Sequence, residues 1–564
     1  MTIFEVIKTL MKDGTNRDAF INGDAIWEPC PFWPPDLFAV IGTIVEQSGC
    51  YTFAGPSLDD STEHKKFLRR VKEISNEWKR DVDVPRRLQA LWEKLLKKYG
   101  TYAIDGVVAH EELVRILLTM FAVADEASVG IGWEPDRSKP KSPPSVFADY
   151  AMLSLTPDSD SKVSKLPHTP YSVCAFVPPE MAVVLPKSIT ASVGCTVRSL
   201  SHHLALLPAR SQVKPSWFMA QPYNVAQNGL RLLIIPFPFT VPDKSFRLSV
   251  DPVELTKGLH TAAFFKLKQM WLLTKDRKRI SGKMLVEHLI KPLLEKARIV
   301  GDGDIDAVVM PECALSDELA YEVASALTKE NLPLLITGTL KNIKGRARNS
   351  ARTFSFLPGG AGGLTSIQSK HHRWRLDKSQ VDRYGLSFAR SSKSSKWWED
   401  IDISERHLPF YSIGKDLSLT VLVCEDLARS DPAMPVIRAV GPNLILALLM
   451  DGPQLPLRWP GRYATVLAED PGSSVLSITC AGMVDRSNQR EHNPLRSIGL
   501  WGEAGAPMPR QLLISTSEHG LLLKLRAEAT EQHTLDTRAD GTVTQMLKFV
   551  SQTPLALNNP PDWL

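Results

Sequence analysis

The pattern of hydrophobic and polar positions changes near residue 228 of the chain. Before residue 130, apolar residues recur at the three- and four-residue spacing of one helix face. In the segment 63–84 this face consists of Phe67, Val71, Ile74 and Trp78. The proline-rich segment 26–35 cannot continue a helix, because proline lacks the backbone N–H. Residues 1–135 are therefore predicted to form a mainly helical N-terminal domain.

A less regular stretch follows at residues 136–227. Its segments 136–144 and 156–170 are rich in Pro, Ser, Asp and Lys, which is the composition of exposed loops. We predict a linker and an accessory segment here, without assigning them a fold. At the other end of the chain, residues 541–564 are predicted to be a C-terminal tail.

Beyond residue 228, short apolar runs bounded by turn residues alternate with amphipathic stretches. The runs are typical of buried strands and lie at 230–239, 307–310, 334–338, 417–423, 444–449 and 475–479. Amphipathic helices are predicted at 283–297 and 317–327, the second with Ser316 as its N-cap. Strands that alternate with helices predict a layered α/β domain, which we place at 228–540.

Composition narrows the class of protein. The 564 residues are 43% hydrophobic and 23% charged, as in globular proteins with two or three domains. No apolar run approaches the ~18 residues of a membrane helix, and the N-terminus lacks the apolar core of a signal peptide. Seven scattered cysteines indicate a reducing compartment rather than a disulfide framework. We therefore predict a cytoplasmic protein without a membrane partner.

Charge argues against nucleic acid as a partner. The net charge of +5 is small for this length. The basic stretch 65–87 contains acids at helical pairing distance from its lysines and arginines, which is typical of a solvated, salt-bridged helix face. A phosphate-binding patch is the less favoured interpretation.

Three short segments place a reactive side chain at the end of a predicted strand. They are Met310-Pro311-Glu312, Ser369-Lys370-His371-His372 and Val423-Cys424-Glu425-Asp426. A thiol that attacks a carbonyl or nitrile carbon needs a base for its proton and a cation for the oxyanion. Glu312, Lys370 and Cys424 supply these groups in order along the chain. A neighbouring lysine is also expected to lower the pKa of the thiol.

Each of these residues has a structural interpretation when it is taken alone. A Pro-Glu pair after a strand is usually a turn, Lys370 lies in a basic cluster, and a single cysteine is usually a small buried hydrophobe. Cys313 and Cys480 are interpreted in that way. The combination of Glu312, Lys370 and Cys424, in order and at strand ends, favours a catalytic triad instead.

No metal ion or other cofactor is predicted. His371-His372 and the scattered cysteines lack the paired spacing of zinc ligands. The sequence also contains no phosphate-binding loop. The predicted chemistry therefore needs no cofactor.

Residues of about 228–530 resemble a divergent member of the nitrilase, or carbon–nitrogen hydrolase, superfamily. The resemblance rests on Met310-Pro311-Glu312, on Lys370-His371-His372 after Gly362-Gly363, on Cys424-Glu425-Asp426, and on Asn349-Ser350 before the lysine strand. The Cys-Glu-Asp-Leu spelling is similar to that of the glutaminase domains of glutamine-dependent NAD synthetases. No Ser-Gly-Gly phosphate loop of a synthetase half follows it, and residues 1–200 resemble no family.

The resemblance implies a four-layer α-β-β-α fold with the triad at strand ends, and assembly into a homo-oligomer. It implies Glu312 as the base, Lys370 as the group that holds the oxyanion, and Cys424 as the nucleophile. Many members have a second glutamate between the lysine and the cysteine, and both Glu399 and Glu405 are candidates for it. The residues in substrate-pocket positions are Glu425, Asp451 and Trp459.

The chain departs from the family pattern in two places. The segment 387–400, rich in Ser and Lys, is interpreted as an inserted loop over the site, either a lid or a solvated excursion. The family's Ala-Arg-Ala-x-Glu-Asn segment is reduced to Leu467-Ala468-Glu469-Asp470, without its arginine. This loss puts the expected support of the site, or the expected oligomer contacts, in doubt.

Two classes of function stay open at the level of the sequence. The first is a cysteine-dependent hydrolase that cleaves a non-peptide C–N bond of a small-molecule amide or nitrile through a thioester. The second is a nitrilase-like scaffold or ligand-sensing protein, with a protein partner bound through residues 1–200, or a part of a bacterial defence system. The intact triad favours the enzyme. Nitrile hydrolysis, amide hydrolysis and acyl transfer share this triad, so the substrate stays open.

Overall fold

The computed structural model describes residues 1–15, 25–55, 61–133, 147, 170–209, 213–220, 229–249, 262–343, 345–356, 363–391, 394–413, 416–489, 491, 494–538 and 543–564. The predicted loop 136–144, residues 156–169 of the second predicted loop, and Gly362 lie outside these residues. The described α-helices are α1 (Ile3–Leu10), α2 (Pro34–Ser48), α3 (Ser61–Asp81), α4 (Arg86–Lys94), α5 (Glu111–Ala127), α6 (Gly282–Leu285), α7 (Lys291–Gly301), α8 (Asp317–Leu327), α9 (Lys378–Arg383), α10 (Ala433–Val440), α11 (Trp459–Glu469) and α12 (Ala481–Asn488).

The described strands are β1 (Val183–Pro186), β2 (Leu204–Leu207), β3 (Lys214–Ala220), β4 (Gly229–Ile234), β5 (Phe246–Leu248), β6 (Ala262–Leu267), β7 (Ala307–Ser316), β8 (Leu334–Ile343), β9 (Arg346–Ser355), β10 (Thr365–Ser369), β11 (Arg375–Asp377), β12 (Lys396–Glu399), β13 (His407–Ile413), β14 (Ser418–Val423), β15 (Leu444–Leu449), β16 (Ser474–Thr479), β17 (Ser497–Gly502), β18 (Arg510–Leu513), β19 (Gly520–Glu531) and β20 (Val543–Leu555). The chain is therefore a mixed α/β protein.

Helices α1 to α5 pack around one apolar core, to which residues 173–177 and the strands β1 and β2 also contribute. α1 begins with a capping box, in which the side chains of Thr2 and Glu5 accept each other's backbone N–H. Helix α3 buries Val71, Ile74 and Trp78 of the predicted apolar face. Large side chains of this core include Trp33, Phe38, Trp78, Trp92 and Phe121.

Two of the described sheets have seven strands each, and a smaller sheet has the order β11-β12-β6-β5. The strand orders of the two seven-stranded sheets are β10-β9-β8-β7-β4-β19-β20 and β18-β17-β16-β15-β14-β13-β3. The centre of each is parallel, β4-β7-β8 in the first sheet and β14-β15-β16 in the second. Every residue of β14, β15 and β16 is buried, as expected for parallel strands covered on both faces.

The two sheets contact each other, and helices pack against them. Strand β7 of the first sheet contacts β15 and β16 of the second. Helix α7 packs against β4, β19 and β20, while α11 packs against β16 and β17. Helix α8 spans the predicted residues, and Ser316 caps it by accepting the N–H of Leu319 at 3.2 Å, which confirms that prediction.

The structure places strands in the predicted linker and accessory segment and in the predicted C-terminal tail. The predicted linker contains β1 and β2, which form an antiparallel pair, and β3, which pairs in parallel with β13. The predicted tail contains β20, which pairs with β19 along its whole length. Most β20 side chains are only half-buried, so the strand carries little apolar periodicity. The domain boundaries themselves stay predictions.

The segment 387–400 is not an extended loop. It contains a 3₁₀ helix, Ser387–Ser391, and then β12, which pairs with both β11 and β6. Phe388 and Trp397 are buried in the apolar core behind the first sheet. The sequence did not predict this strand, because its many serines and lysines are typical of a loop and its buried residues are few, although they are large.

A buried charge cluster joins the helical part of the chain to the strand region. Arg538 donates to Asp125 at 3.1 Å, to Glu126 at 2.6 Å and to Asp536 at 3.1 Å. Asp125 also accepts the backbone N–H groups of 202–204. The guanidinium and all three acids are almost fully enclosed, so the two parts share a polar core.

Within the described ranges, none of the helices combines the length and the apolar character needed to cross a bilayer.

Candidate active site

Glu312 lies in a wide bulge of β7. Met310 pairs with Thr337 and Leu315 with Thr339, so residues 311–314 face Gly338 alone. A Cβ atom at position 338 would lie 2.4 Å from the Cα of Glu312, which only glycine avoids. The bulge therefore depends on Gly338 in the neighbouring strand.

Side chains from outside the sheet hold the bulge open. Gln269 donates to the carbonyls of Cys313 at 2.8 Å and Leu315 at 2.6 Å, and the indole of Trp271 donates to that of Ala314 at 3.0 Å. Cys313 has a φ of 53°, in the left-handed region that non-glycine residues rarely occupy. These contacts satisfy carbonyls that the bulge removes from the ladder, and they fix Glu312.

Lys370 follows β10 and has no exposed surface. Its Nζ donates to Glu312 Oε1 at 2.8 Å and to Glu399 Oε2 at 2.7 Å. The Nδ2 of Asn349 bridges the same two carboxylates, at 2.7 and 2.9 Å. Burial alone would lower the pKa of Lys370, but the charges of Glu312 and Glu399 raise it well above its usual value. The ammonium therefore stays charged between two acids.

The geometry separates the two candidates for the second glutamate. Glu399 ends β12, is 3% exposed, and also accepts the backbone N–H of Trp374 at 3.1 Å. Glu405 instead pairs with Lys214 at 3.0 Å, where both side chains are partly exposed. Only Glu399 of these two hydrogen-bonds to Lys370.

Cys424 follows β14 directly and begins a 3₁₀ helix, Cys424–Ala428. Its φ is 50°, a backbone strain that costs about 1–3 kcal/mol and clusters at functional sites. Burial raises the pKa of the Cys424 thiol well above its usual value, and the charge of Glu312 raises it further. The charge of Lys370 lowers the pKa of the thiol, as expected, but this effect is smaller than those of burial and Glu312, so the net shift is upward. Cys424 is a buried thiol that needs a base.

Glu312 has the free atom that such a base requires. Its Oε1 accepts from Lys370 and Asn349, while its buried Oε2 has no hydrogen-bond partner among the described residues. Burial raises the pKa of Glu312 above its usual value, with the charge of Lys370 opposing. A raised pKa makes a carboxylate a better proton acceptor.

Asp426 ties the lysine segment to the cysteine segment. Its carboxylate accepts the backbone N–H groups of His371 and His372, each at 3.0 Å. Burial raises the pKa of Asp426 to about 7. The Nε2 of His372 lies 2.6 Å from the carbonyl of Asp431, beyond the 3₁₀ helix. The sequence motif contains Asp426, but it does not predict these hydrogen bonds between the two segments.

The three predicted substrate-pocket residues lie in different surroundings. The carboxylate of Glu425 pairs with the exposed Arg429. Asp451 is buried just beyond β15 and accepts from Arg458 at 2.9 Å, from Gly452 N at 2.8 Å and from the hydroxyl of Tyr384. Trp459 opens α11 and is half-buried against the apolar core. Sequence reasoning missed Tyr384 and Arg458, since neither belongs to a motif.

The described residues include no group of three His, Cys, Asp or Glu side chains that could hold a metal ion.

Comparisons with known proteins give weak similarities. Neither a protein-family model nor a curated protein matches the sequence. Among solved structures, the chain is similar to a glutamine-dependent NAD⁺ synthetase from Acinetobacter baumannii, with 13% identity and a TM-score of 0.29 over 47% of this chain and 44% of that one. It is similar to Nit3 of Saccharomyces cerevisiae, a member of branch 10 of the nitrilase superfamily, with 13% identity and a TM-score of 0.29 over 52% of this chain and 93% of that one.

A third similarity is to a CN-hydrolase superfamily protein from Xanthomonas campestris. It has 12% identity and a TM-score of 0.22 over 46% of this chain and 83% of that one. The chain spans less than half the length of the synthetase that it matches. At these TM-scores the similarities do not define a family for this chain.

Proposed function

We propose that the chain is a cysteine-dependent hydrolase that cleaves a non-peptide C–N bond of a small-molecule amide or nitrile through a thioester. The observation that carries the proposal is the buried ammonium of Lys370 between Glu312 and Glu399, with one oxygen of Glu312 free. A buried ion pair of this kind is weak evidence for stability. Perturbed titratable groups at strand ends are instead typical of catalytic sites.

The proposal includes a divergent nitrilase-like domain within 228–540. Its support is the contact of two sheets through β7, β15 and β16, with α7 against one sheet and α11 against the other. That arrangement agrees with a four-layer α-β-β-α fold. Glu312, Lys370 and Cys424 then come from β7, from the end of β10 and from the end of β14.

For an amide substrate, the first half-reaction forms the thioester. Glu312 Oε2 takes the proton of the Cys424 thiol as the sulfur attacks the carbonyl carbon. The ammonium of Lys370 stabilises the oxyanion, helped by a backbone N–H at Cys424 or Glu425. Glu312 then returns the proton to the nitrogen of the breaking C–N bond, and the amine leaves. The products are the free amine and an acyl group on Sγ.

The second half-reaction removes the acyl group. Glu312, again ionised, takes a proton from water, which attacks the thioester carbon. The C–S bond breaks, Glu312 returns this proton to the sulfur, the acid leaves and the Cys424 thiol is restored. Glu399 holds Lys370 in place and balances its charge through both steps.

Alkylation by iodoacetamide tests the triad without knowledge of the substrate. We expect Cys424 to react faster than Cys480, a second buried cysteine at the start of α12. Glu312→Gln should remove this advantage, because it removes the base. Glu405→Gln is the matched control, since Glu405 pairs with Lys214 instead. Equal rates at Cys424 and Cys480 in the unmodified chain would contradict the enzyme and favour the scaffold alternative.

A further inference from the structure

Asp451 lies beside Cys424 at one edge of the second sheet. Strands β14, β15 and β16 are parallel, and Cys424 follows the first of them while Asp451 follows the second. Thr479, the last residue of β16, accepts from Asp451 N at 2.9 Å and donates to its carbonyl at 2.6 Å. Ligands of α/β sheets bind at the carboxyl ends of parallel strands. Asp451 therefore lies where a substrate of Cys424 would bind.

The two oxygens of the Asp451 carboxylate differ. Oδ1 accepts three hydrogen bonds, from Tyr384, Arg458 and Gly452 N. Oδ2 is buried and has no hydrogen-bond partner in the part of the chain that the structure describes. The residue as a whole is 6% exposed. A buried carboxylate oxygen without a donor is costly, so its position calls for a donor from outside the protein.

A second acceptor lies on the same loop. Gln454 is fully buried, and its Nε2 donates to the carbonyl of Gly452 at 2.9 Å. Its Oε1, like Asp451 Oδ2, finds no partner within the described residues. The loop after β15 thus presents two buried acceptors. Arg458 donates to the carbonyl of Pro453 in the same loop and is already paired with Asp451 through Oδ1.

We propose that Asp451 is a specificity residue, whose Oδ2 accepts a hydrogen bond from an amine or ammonium group of the substrate. This inference rests on the proposed function and names its substrate class: small amides or nitriles that carry an amino group a few bonds from the reacting carbon. A charged donor suits this oxygen, because hydrogen bonds with a charged partner are about twice as strong as neutral ones. A substrate with a carboxylate in that place would be repelled.

Electrostatics agree with the proximity of the two residues. The charge of Asp451 is among the causes that raise the pKa of the Cys424 thiol, after burial and the charges of Glu312 and Glu425. A cation bound at Asp451 would offset this effect. An amino-bearing substrate would therefore also ease the ionisation of the nucleophile that attacks it.

Methanethiosulfonates of different charge test the proposal at Cys424 itself. The thiol sulfur forms a disulfide with the sulfur of the reagent, the S–SO₂ bond breaks, methanesulfinate leaves, and Glu312 takes the thiol proton. The reagents are the 2-aminoethyl, the 2-sulfonatoethyl and the uncharged methyl compound. Peptide mapping gives the rates at Cys424 and at the exposed Cys195, which serves as the internal reference.

We expect the rate ratio of the cationic to the anionic reagent to be at least about tenfold higher at Cys424 than at Cys195, as one charge-assisted hydrogen bond would give. Asp451→Asn should bring the ratio at Cys424 close to that at Cys195. Asp485→Asn is the matched control, because it removes a half-exposed carboxylate paired with Arg496. Rates with the methyl reagent normalise any general change in the reactivity of Cys424.

Two outcomes would overturn the proposal in distinguishable ways. In the first, Cys424 reacts faster than Cys480 with the methyl reagent, but it does not prefer the cationic reagent, or its preference remains in Asp451→Asn. The specificity role of Asp451 is then wrong, while the proposed hydrolase function stands. If Cys424 reacts no faster than Cys480 with any reagent, the proposed function fails and the inference fails with it.

Discussion

Lys370 is a charged side chain without exposed surface. Unlike the lysine of a surface ion pair, it is shared by two buried carboxylates. Removing it leaves Glu312 and Glu399 facing each other in a buried site. The loss of one partner from a buried ion pair typically costs about 3–5 kcal/mol, far more than the pair contributes by itself. The largest effect of removing Lys370 on the free energy of unfolding is therefore the cost of leaving the two carboxylates buried without a cation.

The variant Lys370→Met tests this at the scale of one residue. We expect it to lose about 3–5 kcal/mol of unfolding free energy in urea, because two carboxylates are left without their shared cation. Lys341→Met is the matched control, since Lys341 is 45% exposed and pairs with Asp317 at 3.1 Å. Its loss should be much smaller. Similar losses in both variants would show that Lys370 is not held by its two acids.

Single residues also show which parts of the candidate site could be predicted from the sequence. The residue types and their order indicated Glu312, Lys370 and Cys424, because the proposed chemistry requires a base, a cation and a thiol. The choice between Glu399 and Glu405 needed coordinates, since both precede β13 by a few residues. The unpartnered oxygen of Asp451 leaves no signal in the sequence, because it depends on donors that are distant along the chain.

At the scale of elements, the bulge of β7 is the feature that presents Glu312. The sequence predicts a strand that ends at Met310, because Pro311 cannot donate to a ladder. The strand instead continues to Ser316, and the four residues of the bulge face one glycine of β8. Nothing local to Pro311 reveals this, since the space is provided by Gly338, which lies in another strand.

Gly338→Ala tests the bulge. The new Cβ would lie 2.4 Å from both the Cα of Glu312 and the carbonyl oxygen of Pro311, so the backbone must shift. We expect a loss of about 1–3 kcal/mol of unfolding free energy and at least a tenfold slower alkylation of Cys424. Gly106→Ala is the control, because a Cβ there meets nothing within 4 Å. An alkylation rate unchanged by Gly338→Ala would mean that the bulge does not position the base.

At the scale of the whole molecule, Arg538 connects regions that the sequence treats as separate domains. It is 412 residues from Glu126 along the chain, yet the two side chains are 2.6 Å apart. No periodicity or motif predicts such a contact. Asp125 and Glu126 lie before the predicted boundary at 135, and Asp536 and Arg538 lie after it, yet the four side chains share one buried polar cluster.

Arg538→Met tests this connection. Asp125, Glu126 and Asp536 would be left buried without their shared cation, so we expect a loss of about 3–5 kcal/mol in urea unfolding. We also expect faster limited proteolysis between the helical part and the strands. Arg526→Met is the control, since Arg526 is 63% exposed in its pair with Glu528. Equal stability of the two variants would contradict the view that Arg538 joins the two parts.

The rate of Cys424 alkylation, compared between the unmodified chain and Glu312→Gln, tests the central claim most directly. Intact-mass spectrometry at neutral pH gives the number of labels, and peptide mapping gives their sites. The proposed triad predicts that Cys424 reacts before the other buried cysteines and that Glu312→Gln slows it by about 10²-fold or more, the usual contribution of a general base. A Cys424 that reacts at the rate of Cys480, or equally fast without Glu312, would contradict it.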